Sequence, residues 1–174
     1  TTFALNGWTV VNDANSKWYV GTFAKSAGTR GVYIDVNGTA GAANNYNSNI
    51  LANRISHFYR DVSIPAGATN IVLSFKWKAN GENGTGADDY DFLRVSLAPT
   101  SVTPAATALP SAAYTIGTGK YNLQSAAFQT ATINLSNAIA GTSQRLIFTW
   151  KNDVSVTNNP GAAVDEISLT YTPG

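Results

Sequence analysis

Among the groups in this chain that can hold a proton or a cation are ten carboxylates and a single histidine. Four of the carboxylates, Glu82, Asp88, Asp89 and Asp91, crowd one stretch rich in turn formers, Asn80 to Asp91. Two carboxylates can hydrolyse a glycosidic bond when one stays protonated and the other ionised, so Glu82 and Asp91 form a candidate acid–base pair. A glycine-rich loop is a poor place to hold that pair at a set separation. His57 sits mid-strand beside Phe58 and Tyr59, and no serine lies in a nucleophile-elbow context. It reads as a structural histidine on a sheet face.

Asp165 is the sharper anomaly. In Ala162-Ala-Val-Asp-Glu-Ile-Ser-Leu-Thr-Tyr171 it shares the parity of Ile167, Leu169 and Tyr171, which is the apolar one. A carboxylate on an inward face must be paired or bind a cation, because burying it bare is costly. A calcium ion held by carboxylates, Asn side chains and carbonyls is one solution, with Asp13 contributing if the first and last strands lie side by side. An ion pair with Arg60, also at an inward parity, and a cap on loop amides are the other two. No D-x-D-x-D-G loop occurs.

Three tyrosines stand in loops beside amides or carboxylates: Tyr46 in Asn44-Asn-Tyr-Asn47, Tyr90 after Asp88-Asp89, and Tyr114. A sugar ring stacks on an aromatic face while Asn and Asp bond its hydroxyls, so these are candidate glycan contacts. The competing reading is that they cover the ends of the fold.

The elements that must position these groups are strands. Ile71, Leu73, Phe75, Trp77 and Ala79 alternate with Val72, Ser74, Lys76 and Lys78, the period of a half-buried antiparallel strand. Leu93, Val95 and Leu97 repeat the pattern after the acidic loop, which predicts a long hairpin from Thr69 to Leu97. Leu146, Phe148 and Trp150 form a neighbouring ladder. Further strands are predicted at Phe3–Val11 (broken by an Asn6-Gly7 turn), Lys17–Phe23, Gly31–Val36, Arg54–Ile64, Ala127–Leu135 and Ala162–Thr172. Residues 37–53 and 99–119 read as long loops, the first functional or mobile, the second an insertion. About nine strands, no amphipathic helix and no repeat predict one domain over residues 1–174. It is all-β, an antiparallel two-sheet β-sandwich, with a jelly roll the best single choice.

Composition narrows the partners. Hydrophobic residues make up 44% and charged residues 12%, the balance of a chain that folds around a core. A net charge of +1 without a basic tract argues against nucleic acid and anionic membrane. The absence of cysteine removes disulfides, thiolate nucleophiles and Cys-ligated metals. No apolar run approaches the roughly 18 residues of a membrane span, and no signal-peptide core is present. With Met also absent, the chain is expected to follow processing or to be part of a longer one.

The order of these segments resembles the jelly-roll domains of secreted Bacteroidetes surface proteins, related to cleaved-adhesin and, more distantly, MAM domains. The resemblance runs through Phe3…Gly7-Trp8-Thr9, Asn12-Asp13…Trp18, Ser56-His-Phe-Tyr-Arg-Asp61 before Ile64-Pro65, and Leu73-Ser-Phe-Lys-Trp-Lys78 with Gly81-Glu82. It continues in Tyr90-Asp-Phe-Leu-Arg-Val95, Arg145-Leu-Ile-Phe-Thr-Trp-Lys-Asn-Asp153 and Ala162-Ala-Val-Asp-Glu-Ile-Ser-Leu169. It implies a non-catalytic, monomeric module of a larger exported protein, located at the cell surface. Its partner would be a glycan or a surface protein, with Asp165 as the residue carried over for structural calcium. Ala4 stands where MAM-type relatives have Glu after the opening Phe. The alternatives are a carbohydrate-binding module of a polysaccharide-degrading enzyme, a hydrolase using Glu82 and Asp91, and a spacer.

Overall fold

The computed structural model describes residues 2–36, 43–47, 52–82, 90–122 and 127–174. In chain order the strands are β1 (Thr9–Val11), β2 (Lys17–Gly21), β3 (Gly31–Asp35), β4 (Arg54–Ser63) and β5 (Thr69–Lys78). They continue as β6 (Phe92–Pro99), β7 (Thr115–Tyr121), β8 (Gln129–Asn134), β9 (Ser143–Asn152) and β10 (Ala163–Thr172). Two five-stranded antiparallel sheets result, β1-β4-β9-β6-β7 and β2-β3-β10-β5-β8. The all-β, two-sheet sandwich of jelly-roll type expected from alternation is the observed architecture.

One pairing is not the expected one. β5 and β6 do not form a hairpin: β5 lies between β10 and β8, and β6 lies between β9 and β7 in the opposite sheet. The chain between them crosses from one layer to the other, and residues 83–89 of the acidic loop, with Asp88 and Asp89, lie outside the described residues. Alternation reports which face a residue takes, and both strands do face the core. It carries no information about which layer they join. The expected β6–β9 neighbours do pair, with Val95 opposite Phe148.

The core lies between the two inner faces. Leu73, Phe75 and Trp77 from one sheet meet Phe58, Leu93, Val95, Phe148 and Trp150 from the other. Phe148 is its hub. Its ring stacks on Phe58 at 4.8 Å and 4°, takes Phe75 edge-on at 5.2 Å and touches Trp8 at 6.1 Å. Offset stacks and edge-on contacts of this kind are the favoured aromatic geometries.

The segment read as an insertion is partly ordered structure. Thr115–Tyr121 forms β7, at the margin of its sheet, with a register shift between its contacts at Leu93 and Val95. Gly117 and Gly119, both at positive φ, hide the strand from pattern reading. Upstream, the segment covers the outer face of its sheet. His57 Nε2 lies 2.9 Å from the Ala105 carbonyl, and Nδ1 lies 2.9 Å from the Thr149 hydroxyl. A carbonyl can only accept, so the ring proton sits on Nε2. Burial lowers the His57 pKa and keeps the ring neutral, which fits a structural histidine.

Candidate ligand-binding cleft

The residues singled out in the sequence fall in separate places. Tyr46 is 2% exposed and packs edge-on against Trp150 at 5.1 Å. Its hydroxyl donates to Asp91 Oδ2 at 2.6 Å and accepts from the Asn158 amide at 2.8 Å. It is therefore a core residue and offers no free face for a sugar. Asn44, at positive φ, turns the backbone inward two residues before it, and its side-chain amide reaches the carbonyls of Ile34, Gly161 and Ala162. Amide-rich composition signals a surface loop, and Asn45 and Asn47 are exposed, but the Asn44 amide satisfies buried carbonyls instead.

Tyr90 and Tyr114 are half-buried and stand at opposite ends of β6. Tyr90 precedes Phe92, whereas Tyr114 precedes Thr115, which pairs with Ser96. The three tyrosines thus do not form one surface.

Asp91 is enclosed. Besides Tyr46, the Asp153 amide donates to its Oδ1 at 2.8 Å, and burial pushes its pKa up to about 6. An acid with such a pKa suits proton donation, but both oxygens are occupied by the protein's own donors. A substrate oxygen has no access to it, so Asp91 does not fit the role of glycosidase acid beside Glu82.

Asp13 and Asp165 do not meet. Asp13 Oδ2 faces Arg54 at 3.3 Å and Oδ1 accepts from the Asn15 amide. It lies beyond Lys17, which pairs with Asp35 at one end of β3. Asp165 follows Val164, which pairs with Val32 near the other end. Asp165 Oδ2 accepts from the amides of Ser26 at 2.7 Å and Ala27 at 3.2 Å, and Oδ1 from Glu166 at 2.9 Å. Of the three solutions considered for it, the cap on loop amides is the one found. Among the described residues no three His, Cys, Asp or Glu are placed to share an ion, and this pair does not fit a common calcium site.

Asp165 departs from the expected inward parity because of a β-bulge. Val164 opposes Trp77 and Leu169 opposes Leu73, all facing the core, yet these positions are five residues apart on β10 and four on β5. The extra residue lies between Asp165 and Ser168, where Glu166 adopts φ +50°. The bulge shifts the phase, so Asp165 pairs with the outward Lys76 and not with the core set. Asp165→Ala is expected to cost about 1–2 kcal/mol through lost loop capping. Melting curves should show the same loss in calcium and in chelator.

That bulge borders an open cleft of about 710 Å³ between the layers, where β10 approaches the end of β4. Valines, isoleucine and leucines of both sheets floor it. Aromatic groups wall it: Phe3, Trp8 and Tyr171, the last 40% exposed. The turn Ala4–Asn6 folds the first two together, with Trp8 N–H and Asn6 N–H both donating to the Phe3 carbonyl at 3.0 Å. Gly7 closes that turn at φ +70°, and a Cβ there would also stand 3.5 Å from the Arg60 guanidinium. Phe3 and Trp8 then rest on Phe58 at 5.7 and 5.1 Å.

Polar groups ring the cleft. Arg30 and Arg60 are exposed and have no hydrogen-bond or ion-pair partner among the described residues. Asp61 is already matched by a two-pronged contact from Arg145, Nε–Oδ1 2.7 Å and Nη2–Oδ2 2.9 Å, which lowers its pKa. Glu166 accepts from the Ser26 hydroxyl at 3.0 Å. A non-glycine residue held at positive φ on a cleft rim is a strained feature of the kind found at binding sites. Arg60, expected inward as one candidate ion-pair partner of Asp165, is exposed and makes no such pair. The convergence of Trp8, Tyr171, Arg30 and Arg60 is hidden in the sequence because it depends on which strands become neighbours.

No family model and no curated protein matches the chain. Among solved structures, the carbohydrate-binding module TmCBM61 in complex with β-1,4-galactotriose aligns with a TM-score of 0.50 and 12% identity. That alignment covers 98% of this chain and 94% of the module. A Stig cyclase from Fischerella sp. TAU, solved with a pyrrolidinylidene indole, aligns at 0.49 and 12%, covering 99% and 88%. The enzymatically active domain of bacteriophage CBA120 tailspike protein 4 aligns at 0.46 and 11%, covering 97% of this chain and 20% of that one. At these identities the likeness to the binding module is one of fold: this chain shares the jelly-roll β-sandwich.

Proposed function

We propose that the chain is a carbohydrate-binding module whose ligand lies in the cleft between the layers. The observation that carries this reading is the meeting, in one open cleft, of Phe3, Trp8 and Tyr171 with Arg30, Arg60 and Asn6. Pyranose rings present a C–H face that packs on aromatic carbon and an equator of hydroxyls that planar polar side chains grip. A cleft of a few hundred Å³ with apolar walls and a few polar groups is the usual form of a small-ligand site. That TmCBM61, whose structure holds β-1,4-galactotriose, has the same fold supports the reading at the level of scaffold.

Attachment to a larger exported protein at the cell surface belongs to the same proposal, as does kinship with cleaved-adhesin domains. Adhesion to a surface protein rests on the resemblance alone, and no described residue favours it over a glycan.

Tryptophan quenching tests the location. Trp18, Trp77 and Trp150 are 2%, 7% and 0% exposed, whereas Trp8 is partly open to solvent. Acrylamide is therefore expected to quench Trp8 alone, and a glycan found on a broad array should protect it. Trp8→Phe should remove the quenchable signal with little loss of stability, since a ring still covers Phe58. A bound glycan that leaves Trp8 quenching unchanged places the ligand elsewhere. A blank array removes the carbohydrate reading.

A further inference from the structure

We infer that the cleft selects glycans carrying an anionic group, a uronate carboxylate or a sulfate ester, through Arg30 and Arg60. The inference rests on the carbohydrate reading and adds the ligand's charge to it. Its basis is the state of the charges that line the cleft. Asp61 is neutralised by Arg145, and Asp165 takes three backbone amides. Glu166 accepts from the Ser26 hydroxyl. Arg30 and Arg60 are the cations of the cleft, and neither is matched among the described residues.

An unmatched arginine on a rim is ordinary alone. Two beside three aromatic residues leave guanidinium donors open to a ligand, whereas the carboxylates of the cleft, Asp61, Asp165 and Glu166, already accept from the protein's own donors. Guanidinium presents parallel N–H donors at the spacing of carboxylate and sulfate oxygens, whereas a neutral sugar supplies hydroxyls for which Asn or Gln would serve as well. Arg60 also stands close to the aromatic residues. Its guanidinium lies beside the Gly7 turn that carries Phe3 and Trp8, which places the charge next to the aromatic wall.

The test uses affinity electrophoresis and calorimetry on the whole chain with two matched pairs of polysaccharides. One pair is polygalacturonate and its carboxyl-reduced form; the other is a sulfated galactan and its desulfated form. The expected result is at least tenfold tighter binding to the charged member of one pair. Which pair responds distinguishes carboxylate from sulfate. Arg30→Gln with Arg60→Gln should abolish that preference with the melting temperature unchanged, both residues being exposed. Lys78→Gln with Lys120→Gln changes net charge equally away from the cleft and should keep the preference. The preference should weaken steeply as salt is raised.

Equal binding of charged and neutral members, unaffected by the arginine changes, overturns the charge selection and leaves the carbohydrate reading standing. Loss of preference in the lysine variant as well would reduce it to bulk charge and also overturn it. No retention on these four or on a wider array overturns the carbohydrate reading itself.

Discussion

Phe148→Ala is expected to lower stability by about 3–5 kcal/mol. The ring is fully buried and touches aromatic residues of both sheets and of the opening turn. Its removal leaves a cavity that the neighbours cannot close. Phe58 and Phe75 are fixed by their own strand pairings, at Val10–Phe58 and Phe75–Ala131. In a domain of this size the melting temperature should fall by roughly 10 °C. The urea midpoint should fall without a change in slope, because the unfolded surface is unaltered. Leu5→Ala, at a side chain 79% exposed, is the control and should change neither. A loss under about 1 kcal/mol at Phe148 would mean that the layers do not close on this ring. The variant should also weaken ligand binding, because Trp8 leans on Phe148 and Phe58.

Phe148 also shows what a sequence can reveal. Its alternation with Leu146 and Trp150 assigns it to a core face, and the structure keeps it there, because burial of one face is a local, period-two property. The partner of a strand is not local. The segments around Trp77 and Phe92 both alternate correctly and still belong to different layers, since a crossing chain and a hairpin leave the same face pattern. A single extra residue has a similar effect at smaller scale. Glu166 shifts the phase of β10, so Asp165, read by parity as an inward carboxylate, caps a loop instead. The candidate cleft was the least legible feature. Trp8 and Tyr171 lie 163 positions apart in the sequence and line one cavity only because β1 and β10 end on facing layers. Tyr46, chosen for its polar neighbours, is buried, and one of those neighbours, Asn44, turns inward with it to satisfy buried carbonyls.

The buried Asp91 leads to the second large prediction, a pH-dependent gain in stability for Asp91→Asn. Asp91 collects donors from three segments, the Tyr46 hydroxyl and the amides of Asp153 and Glu82. Those hydrogen bonds lower its pKa, but burial outweighs them and raises it from 3.8 to about 6. Between these two values the folded state holds a proton that the unfolded chain has released. The contribution of this group is therefore fully present below about pH 4 and is lost as the pH rises through 6. A shift of about two units corresponds to roughly 3 kcal/mol. An asparagine cannot ionise. The stability of Asp91→Asn relative to the parent should thus improve by about 3 kcal/mol between pH 4 and pH 8. The absolute curves mix in other groups. His57, whose pKa is lowered by burial, favours the folded state above its unfolded value of 6.5 and loses that contribution as the pH falls from there through the lower folded value. Asp61, lowered by Arg145, loses its contribution only at more acid pH, and half its side chain faces solvent. Both are common to parent and variant and cancel in the difference. Urea denaturation of the two proteins at pH 4.5, 6 and 8 reads that difference directly. A gap that stays constant with pH would mean that Asp91 is ionised throughout, and that its three donors outweigh the cost of enclosing the charge.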